Sequence, residues 1–239
     1  MNPDLSRSPL FKAAPQVAFF FGLCLGLVLL LGLFPAGQAR AESWRVRVAE
    51  VLDGDTLLLG GGERLRLRGI DAPELGHNGK PGQYFGRQSK RMLEALVSGR
   101  ELILRRSELD RDRHGRMVGI AWRADNVMVN LSMIEQGAAF VYPHAADRDK
   151  SLSGELLQAQ RRAMSQGKGF WPHILGIADA SRGCVGTRSS LRFHILSCSQ
   201  GRKVKKSNQV QFSSLAEAFA AGFAPARDCT PWPPEKAVR

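Results

Sequence analysis

The spacing of apolar residues predicts short strands followed by helices. Residues 43–59 place valines and leucines around a tight turn, which is typical of two short strands or a bent hairpin. Between Glu63 and Arg68 leucine and arginine alternate, which predicts a strand with one apolar and one basic face. Residues 101–104 and 117–122 have the composition of two further strands.

Three later segments have the periodicity of amphipathic helices. They cover about residues 85–97, 130–137 and 152–167, with a glycine at or just after the end of each, and Asn130 is a suitable cap for the second. Together the elements predict a mostly β fold of the α+β class, a five-stranded β-barrel with three packing helices.

The leading segment has the features of an export signal. Val17–Phe34 is an apolar run without a charge, with Arg7 and Lys12 before it and an Ala-x-Ala sequence at its end. We therefore expect residues 1–41 to be a signal peptide that is cleaved before Glu42, so that the protein is secreted or periplasmic. The run also just reaches the length that spans a bilayer. The alternative is an uncleaved N-terminal anchor with the rest of the chain facing outside the cytoplasm.

Composition divides the remaining chain. Residues 42–173 contain the predicted barrel, and residues 174–190, rich in Gly, Ser and Ala, predict a linker. Residues 191–229 predict a small C-terminal α/β module that contains cysteine, and residues 230–239, which include a proline-rich sequence, predict a loose tail.

Charge narrows the range of partners. The chain has 44% apolar and 23% charged residues, which excludes a collagen, a coiled coil and a wholly disordered chain. The net charge is +12, and the excess belongs to the folded part, because the leading segment holds only three basic residues and one acidic residue. Such an excess favours nucleic acid or an anionic membrane surface.

Four carboxylates lie at predicted turns. Asp53 and Asp55 belong to an Asp-Gly-Asp-Thr sequence, and Asp71 and Glu74 belong to an Asp-Ala-Pro-Glu sequence. Carboxylates that converge repel one another unless a cation neutralises them, and Ca²⁺ is the hard cation that accepts such oxygen ligands. Asp, Gly and Pro are also ordinary turn residues, so a plain turn is the alternative for either sequence taken singly.

Arginines near these carboxylates point to phosphate. Arg66 precedes Asp71 by five residues on the adjoining strand, and Arg116 ends a polar turn between strands. Two guanidinium forks beside a cation site can each donate two hydrogen bonds to phosphoryl oxygens. For Arg64 and Arg68 we expect a solvated strand face.

Five sequences in order, from residue 43 to residue 173, carry a family resemblance. VLDGDTLLL, LRLRGIDAPE, GQYFGRQSKRML, DRHGRMVG and VNLSMIEQGAAFVY resemble the staphylococcal-nuclease-like thermonucleases. The resemblance implies an OB-fold barrel and a secreted Ca²⁺-dependent phosphodiesterase, an endonuclease that acts on DNA, with RNA as a further candidate substrate.

The same resemblance implies the metal ligands. Asp55 and Asp71 match metal-binding aspartates, and Asp53 matches a position near the metal. Ala72 stands where a threonine is common, but that position offers its backbone carbonyl, so the site is expected to be complete.

The resemblance also assigns the reaction to side chains. Glu74 matches the catalytic glutamate, and the two arginines that hold the phosphate match Arg66 and Arg116. The expected substrate-binding residues are Arg113, His114 and Tyr142. His114 replaces an aromatic residue that contacts the nucleotide in other members, so base stacking is expected to be weaker or supplied differently.

The C-terminal segment resembles small modules related to the metal-binding domain of the Ada repair protein, through Phe193-His194, Cys198 and Ala221-Gly222-Phe223. Its cysteines and His194 could form a zinc site, but the sequence has no Cys-x-x-Cys pair. We therefore favour a disulfide between Cys198 and Cys229, or no bridge at all.

The leading hypothesis is an exported nuclease of low sequence specificity that acts as a monomer without an obligate protein partner. Contact with a membrane is expected only through an uncleaved N-terminal segment. The alternative is a non-catalytic OB-fold module that binds nucleic acid. Binding modules of this family typically lose the carboxylates and arginines, which are all retained here.

Overall fold

The computed structural model describes residues 42–77, 79–143 and 150–235, which belong to one compact unit, residues 41–239. The predicted signal peptide at residues 1–41 and the last four residues of the predicted tail lie outside the described residues. Within the described part, no helix combines the length and apolarity needed to cross a membrane.

Strands outnumber helices in the described chain. In chain order they are β1 (Ser43–Val51), β2 (Thr56–Leu59), β3 (Arg64–Leu67), β4 (Ile70–Asp71), β5 (Glu101–Arg105), β6 (Asp110–Arg111), β7 (Met117–Gly119), β8 (Trp122–Arg123), β9 (Phe140–Val141), β10 (Cys184–Thr187), β11 (Arg192–Ile195), β12 (Gln209–Phe212) and β13 (Ala224–Pro225). The α-helices are α1 (Gly86–Val97), α2 (Val129–Glu135), α3 (Lys150–Ser165), α4 (Trp171–Gly176) and α5 (Leu215–Ala220).

The first sheet has seven strands in the order β6-β7-β3-β2-β1-β5-β8, and β4 pairs separately with β9. Strands β1, β2 and β3 are consecutive antiparallel neighbours, whereas β3 pairs with β7 in parallel. Leu65 and Leu67 are buried as their alternation predicts, because they face the core, whereas Arg64 is exposed and Arg66 is intermediate in burial on the other face of the strand. The predicted α+β class with an OB-type sheet is confirmed.

Asn130 has a different role from the predicted one. It lies buried inside α2, and the residue before the helix, Met128, gives no side-chain cap. The Asn130 side chain accepts the Ala121 N–H at 3.0 Å and donates to the carbonyl oxygens of Arg68 and Gly119 at 3.0 and 3.2 Å. It therefore ties α2 to the end of β3 and to β7, a long-range role that local sequence does not reveal.

The C-terminal part forms a second sheet of four strands in the order β12-β10-β11-β13. Strand β10 lies inside the segment predicted as a linker, since Cys184 and Gly186 are buried and pair with strands on both sides. Phe193 and Phe219 from this part share one aromatic core with Phe140 and Trp171.

The predicted loose tail is packed as far as it is described. Trp232 is 5% exposed, and its ring centroid lies 5.0 Å from that of Phe140 and 5.1 Å from that of Phe170. The structure joins Cys198 to Cys229 in a disulfide, as favoured from the sequence, and leaves Cys184 buried outside any disulfide.

Candidate active site

The turn between β1 and β2 presents the first two aspartates. The Asp55 N–H donates to Asp53 Oδ1 at 3.0 Å, which fixes the turn. Gly54 between them is buried against α1, and a Cβ atom there would come within 2.6 Å of the Ala72 Cβ and 2.9 Å of the Ser89 Cβ. Only glycine fits this approach, so the Asp-Gly-Asp sequence has a packing reason as well as a chemical one.

Asp55 of this turn and Asp71 of β4 come together although they are sixteen residues apart in the sequence. Both are buried, with 3% and 7% of their surface exposed. Asp55 accepts hydrogen bonds from the Thr56 hydroxyl at 2.8 Å and from the Ala72 N–H at 2.9 Å. Arg66 joins the two aspartates, since its Nη1 donates to Asp55 Oδ1 at 2.5 Å and its Nη2 donates to Asp71 Oδ1.

The aspartates around Arg66 carry more negative charge than this one guanidinium neutralises. Burial, and then the nearby Asp55 carboxylate, raise the pKa of Asp53 to about 6 and the pKa of Asp71 to about 7, with Arg66 opposing the rise at Asp71. Burial lowers the pKa of Arg66, but Asp55 and Asp71 outweigh it and raise that pKa overall. One guanidinium thus faces three carboxylates, and a further cation would relieve the imbalance.

The donor set fits a hard cation. Asp53, Asp55 and Asp71 offer carboxylate oxygens, the ligands that Ca²⁺ prefers. These oxygens are not gathered as closely as the ligand atoms of His194, Cys198 and Cys229, which in the described part of the chain all lie within 4.8 Å of one another. Arg66 is bonded to Asp55 and Asp71 in this arrangement. Cys198 and Cys229 form the disulfide, so their sulfurs are not thiolate ligands.

A cleft of about 590 Å³ opens beside the aspartates. Five of the predicted residues line it, namely Asp53, Arg66, Glu74, His114 and Arg116. Glu74 is exposed there, and its backbone is fixed by Gln83, whose side chain accepts the Glu74 N–H at 2.9 Å and whose N–H donates to the Glu74 carbonyl at 2.8 Å. The cleft therefore brings the exposed Glu74 together with Arg116 and with Arg66, whose side chain is mostly buried.

Arg116 is oriented by Asp112, a residue that the sequence analysis did not single out. Asp112 accepts the Arg116 Nε–H at 2.7 Å and the N–H groups of His114 and Arg116 at 2.8 and 3.0 Å. Burial opposes the charge of Asp112, but these bonds lower its pKa. Asp112 bonds only to Nε of the Arg116 guanidinium. The two terminal nitrogens of Arg116 make no hydrogen bond within the described residues.

Some predicted residues lie elsewhere. Arg113 is exposed and donates from Nε to His114 at 3.1 Å, but it does not line the cleft. Tyr142 is half-buried outside the cleft, and the Arg192 guanidinium covers one face of its ring at 3.7 Å.

Ala72 is buried beside Asp71, where its N–H bonds to Asp55. Arg64 is exposed as expected, but Arg68 is mostly buried and donates to the carbonyl oxygens of Glu108 and Val118.

The structure adds residues that sequence reasoning missed. Glu63, Arg111 and Arg227 also line the cleft, and Gln83 supports Glu74. Asp112 carried a usable signal, because an aspartate four residues before an arginine in a tight turn can reach it. Arg227 carried none, because it is more than a hundred residues from every other group in the cleft.

Comparison with known proteins identifies the family of this chain. The family described as staphylococcal nuclease homologue matches residues 64–173. The chain is 36% identical over 148 residues to the succinoglycan biosynthesis protein ExoI of Rhizobium meliloti (strain 1021), covering 60% of this chain and 73% of that protein. It is 36% identical over 128 residues to an uncharacterized endonuclease of Escherichia coli O157:H7, covering 52% and 75%. It is 26% identical over 142 residues to a thermonuclease of Staphylococcus hyicus, covering 57% and 80%. The chain belongs to the staphylococcal nuclease family.

Proposed function

We propose that this phosphodiester hydrolase is an exported Ca²⁺-dependent nuclease that cleaves DNA, and RNA as a second substrate, with low sequence specificity. The observation that carries the proposal is the pair of buried aspartates, Asp55 and Asp71, joined by Arg66 at a cleft that Glu74 and Arg116 also line. Names of relatives support the substrate class, since two of those compared are an endonuclease and a thermonuclease.

Asp55 and Asp71 are proposed to hold the ion, with the Ala72 carbonyl as a further ligand and Asp53 beside them. Bound Ca²⁺ would neutralise the carboxylates and polarise a phosphoryl oxygen. Support comes from the raised pKa values of Asp53 and Asp71, because burial and mutual repulsion disfavour their ionised forms without another cation.

Glu74 is proposed to orient or deprotonate the attacking water, since its carboxylate is exposed to the cleft and its backbone is held in place by Gln83. Arg66 and Arg116 are proposed to donate hydrogen bonds to the phosphoryl oxygens, where negative charge increases in the transition state. Arg116 is held by Asp112 through Nε, which leaves its terminal nitrogens to face a phosphate.

Low specificity follows from the kind of groups in the cleft. Arg64, Arg66, Arg111 and Arg116 are suited to phosphate, which is the same at every nucleotide. Tyr142, the candidate for base stacking, has one ring face covered by Arg192. Among the substrate-binding candidates, His114 lies in the cleft, whereas Arg113 and Tyr142 do not line it.

Export is supported by the charge-free run at Val17–Phe34 and by the disulfide between Cys198 and Cys229, since disulfides persist in oxidising compartments. Cleavage before Glu42 and a monomeric state complete the proposal.

The test is digestion of supercoiled plasmid by the purified protein, with Ca²⁺ or with EGTA. We expect relaxed and linear products with Ca²⁺ only, and a loss of about 10² to 10⁴ in rate for Glu74→Gln. Glu63→Gln is the matched control, because Glu63 is a neighbouring carboxylate that lines the same cleft. Full activity in EGTA would exclude the metal role. Tight DNA binding without cleavage in Ca²⁺ would favour the non-catalytic binding module.

A further inference from the structure

Arg227 reaches the active-site cleft from the C-terminal part of the chain. It begins a short 3₁₀ turn, Arg227–Cys229, and its side chain is exposed where it lines the cleft with Arg66, Glu74 and Arg116. The segment that matches the family ends at residue 173. The cleft is thus completed by a residue outside the family segment.

The backbone of Arg227 is anchored on both sides. The Ala226 N–H donates to the Phe193 carbonyl at 2.8 Å, and Cys229 is joined to Cys198. Three residues further on, Trp232 is buried in the aromatic core. A guanidinium on a fixed backbone loses less conformational freedom on binding than one on a mobile tail, so this position is suited to ligand binding.

The basic cleft around Arg227 is suited to an anionic ligand. In the described part of the chain, no ion pair or hydrogen bond satisfies its guanidinium. Arg64, Arg111 and Arg116 line the same cleft, and together with Arg66 and Arg227 they outnumber its three acidic residues, Asp53, Glu63 and Glu74. A polyanion that runs through the cleft reduces the repulsion among these arginines and gains charge-assisted hydrogen bonds.

We infer that Arg227 binds a backbone phosphate next to the scissile one, so that the C-terminal part forms one wall of the substrate site. The inference rests on the proposed nuclease function. A phosphate that does not react is held equally in the ground state and the transition state, so Arg227 is a substrate-binding residue whose loss raises KM and leaves kcat unchanged.

The experiment measures DNA binding and cleavage by the full-length protein in which Arg227 is changed to alanine or lysine. Arg188→Ala is the matched control, because Arg188 is an exposed arginine of the same C-terminal part that does not line the cleft. Binding of a fluorescent duplex is followed by anisotropy in EGTA at several salt concentrations, so that the readout does not need hydrolysis. Cleavage of the same duplex is then measured in Ca²⁺.

For Arg227→Ala we expect KM to rise about three- to tenfold with kcat within about twofold of the parent, the effect of one phosphate contact. The slope of log affinity against log salt should shrink by about 0.9, the value for one phosphate of duplex DNA. Arg227→Lys should recover most of the slope, because it keeps the charge.

Equal slopes and KM values for Arg227→Ala and Arg188→Ala would overturn the inference, as would a loss confined to kcat. A parent protein that binds DNA but does not cleave it in Ca²⁺ would reject the nuclease proposal, while the salt slopes would still decide the role of Arg227.

Discussion

Arg66 neutralises two buried carboxylates, so its replacement is predicted to destabilise the fold as well as the reaction. The guanidinium donates to Asp55 and Asp71, and the three side chains are 14%, 4% and 10% exposed. Removing one partner of a buried ion pair leaves an uncompensated charge and costs about 3–5 kcal/mol. For a chain of this size each kcal/mol lowers the melting temperature by about 2–4 °C. Arg66→Ala should therefore melt about 6–20 °C below the parent protein in EGTA.

The assay is thermal unfolding by circular dichroism, in EGTA and in excess Ca²⁺. Arg64→Ala is the control, because this substitution removes the same charge from the same strand at an exposed position. Ca²⁺ should raise the melting temperature of Arg66→Ala more than that of the parent, since a cation then supplies the charge that the guanidinium no longer provides. Activity should still fall about 10²- to 10³-fold in Ca²⁺, because a donor to the phosphoryl oxygens is missing.

Two results would refute this reasoning. Equal melting temperatures for Arg66→Ala and Arg64→Ala in EGTA would mean that Asp55 and Asp71 do not depend on the guanidinium. A normal rate of hydrolysis in a folded Arg66→Ala protein would mean that Arg66 does not act on the phosphate.

Two further predictions concern the buried aspartates and the C-terminal aromatic residue. Asp71, with its pKa raised to about 7, binds its proton more tightly in the folded than in the unfolded chain, so in EGTA the free energy of unfolding should decrease as the pH rises from about 4 to about 7. Urea titrations at several pH values should show a smaller decrease for Asp71→Asn, and an unchanged decrease would contradict the prediction. Trp232→Ala should cost about 3–5 kcal/mol in urea, since the ring is buried among Phe140, Phe170 and Phe219; a change below 1 kcal/mol would show that residues 230–235 are dispensable for the fold.

Sequence patterns were informative where the physical cause is local. The alternation in β3 identifies which side chains face the core, because neighbouring residues of a strand point to opposite faces. The Asp53-Gly54-Asp55 turn could be located for the same kind of reason, since Asp and Gly favour turns, whereas Asp71 lies at the end of β4. That Arg66 of β3 joins Asp55 to Asp71 depends on how the chain brings the turn before β2 and the strand β4 up to this arginine; the family resemblance implied that the two aspartates share a metal site, but not that Arg66 bonds to both.

Patterns failed where the cause is a distant contact. Asn130 looks like a helix cap, but its side chain is drawn into the gap between β3 and β7, a place that no nearby residue indicates. Trp232 is surrounded by prolines and reads as a loose tail, yet it fills a space left by aromatic residues sixty or more positions earlier, such as Phe140 and Phe170. Composition describes what a segment resembles, whereas burial depends on which surface it reaches.

The C-terminal part bears on the site through backbone contacts as well as through Arg227. The Tyr84 N–H donates to the Pro233 carbonyl at 2.8 Å, and the Glu235 N–H donates to the Gly82 carbonyl at 2.6 Å. Gln83, between these two anchored residues, is the residue that holds the backbone of Glu74. The segment that follows Trp232 thus braces the loop that supports the proposed catalytic base. Since the family segment ends at residue 173, the part of the chain after it is an integral support of the candidate active-site cleft rather than an appended module.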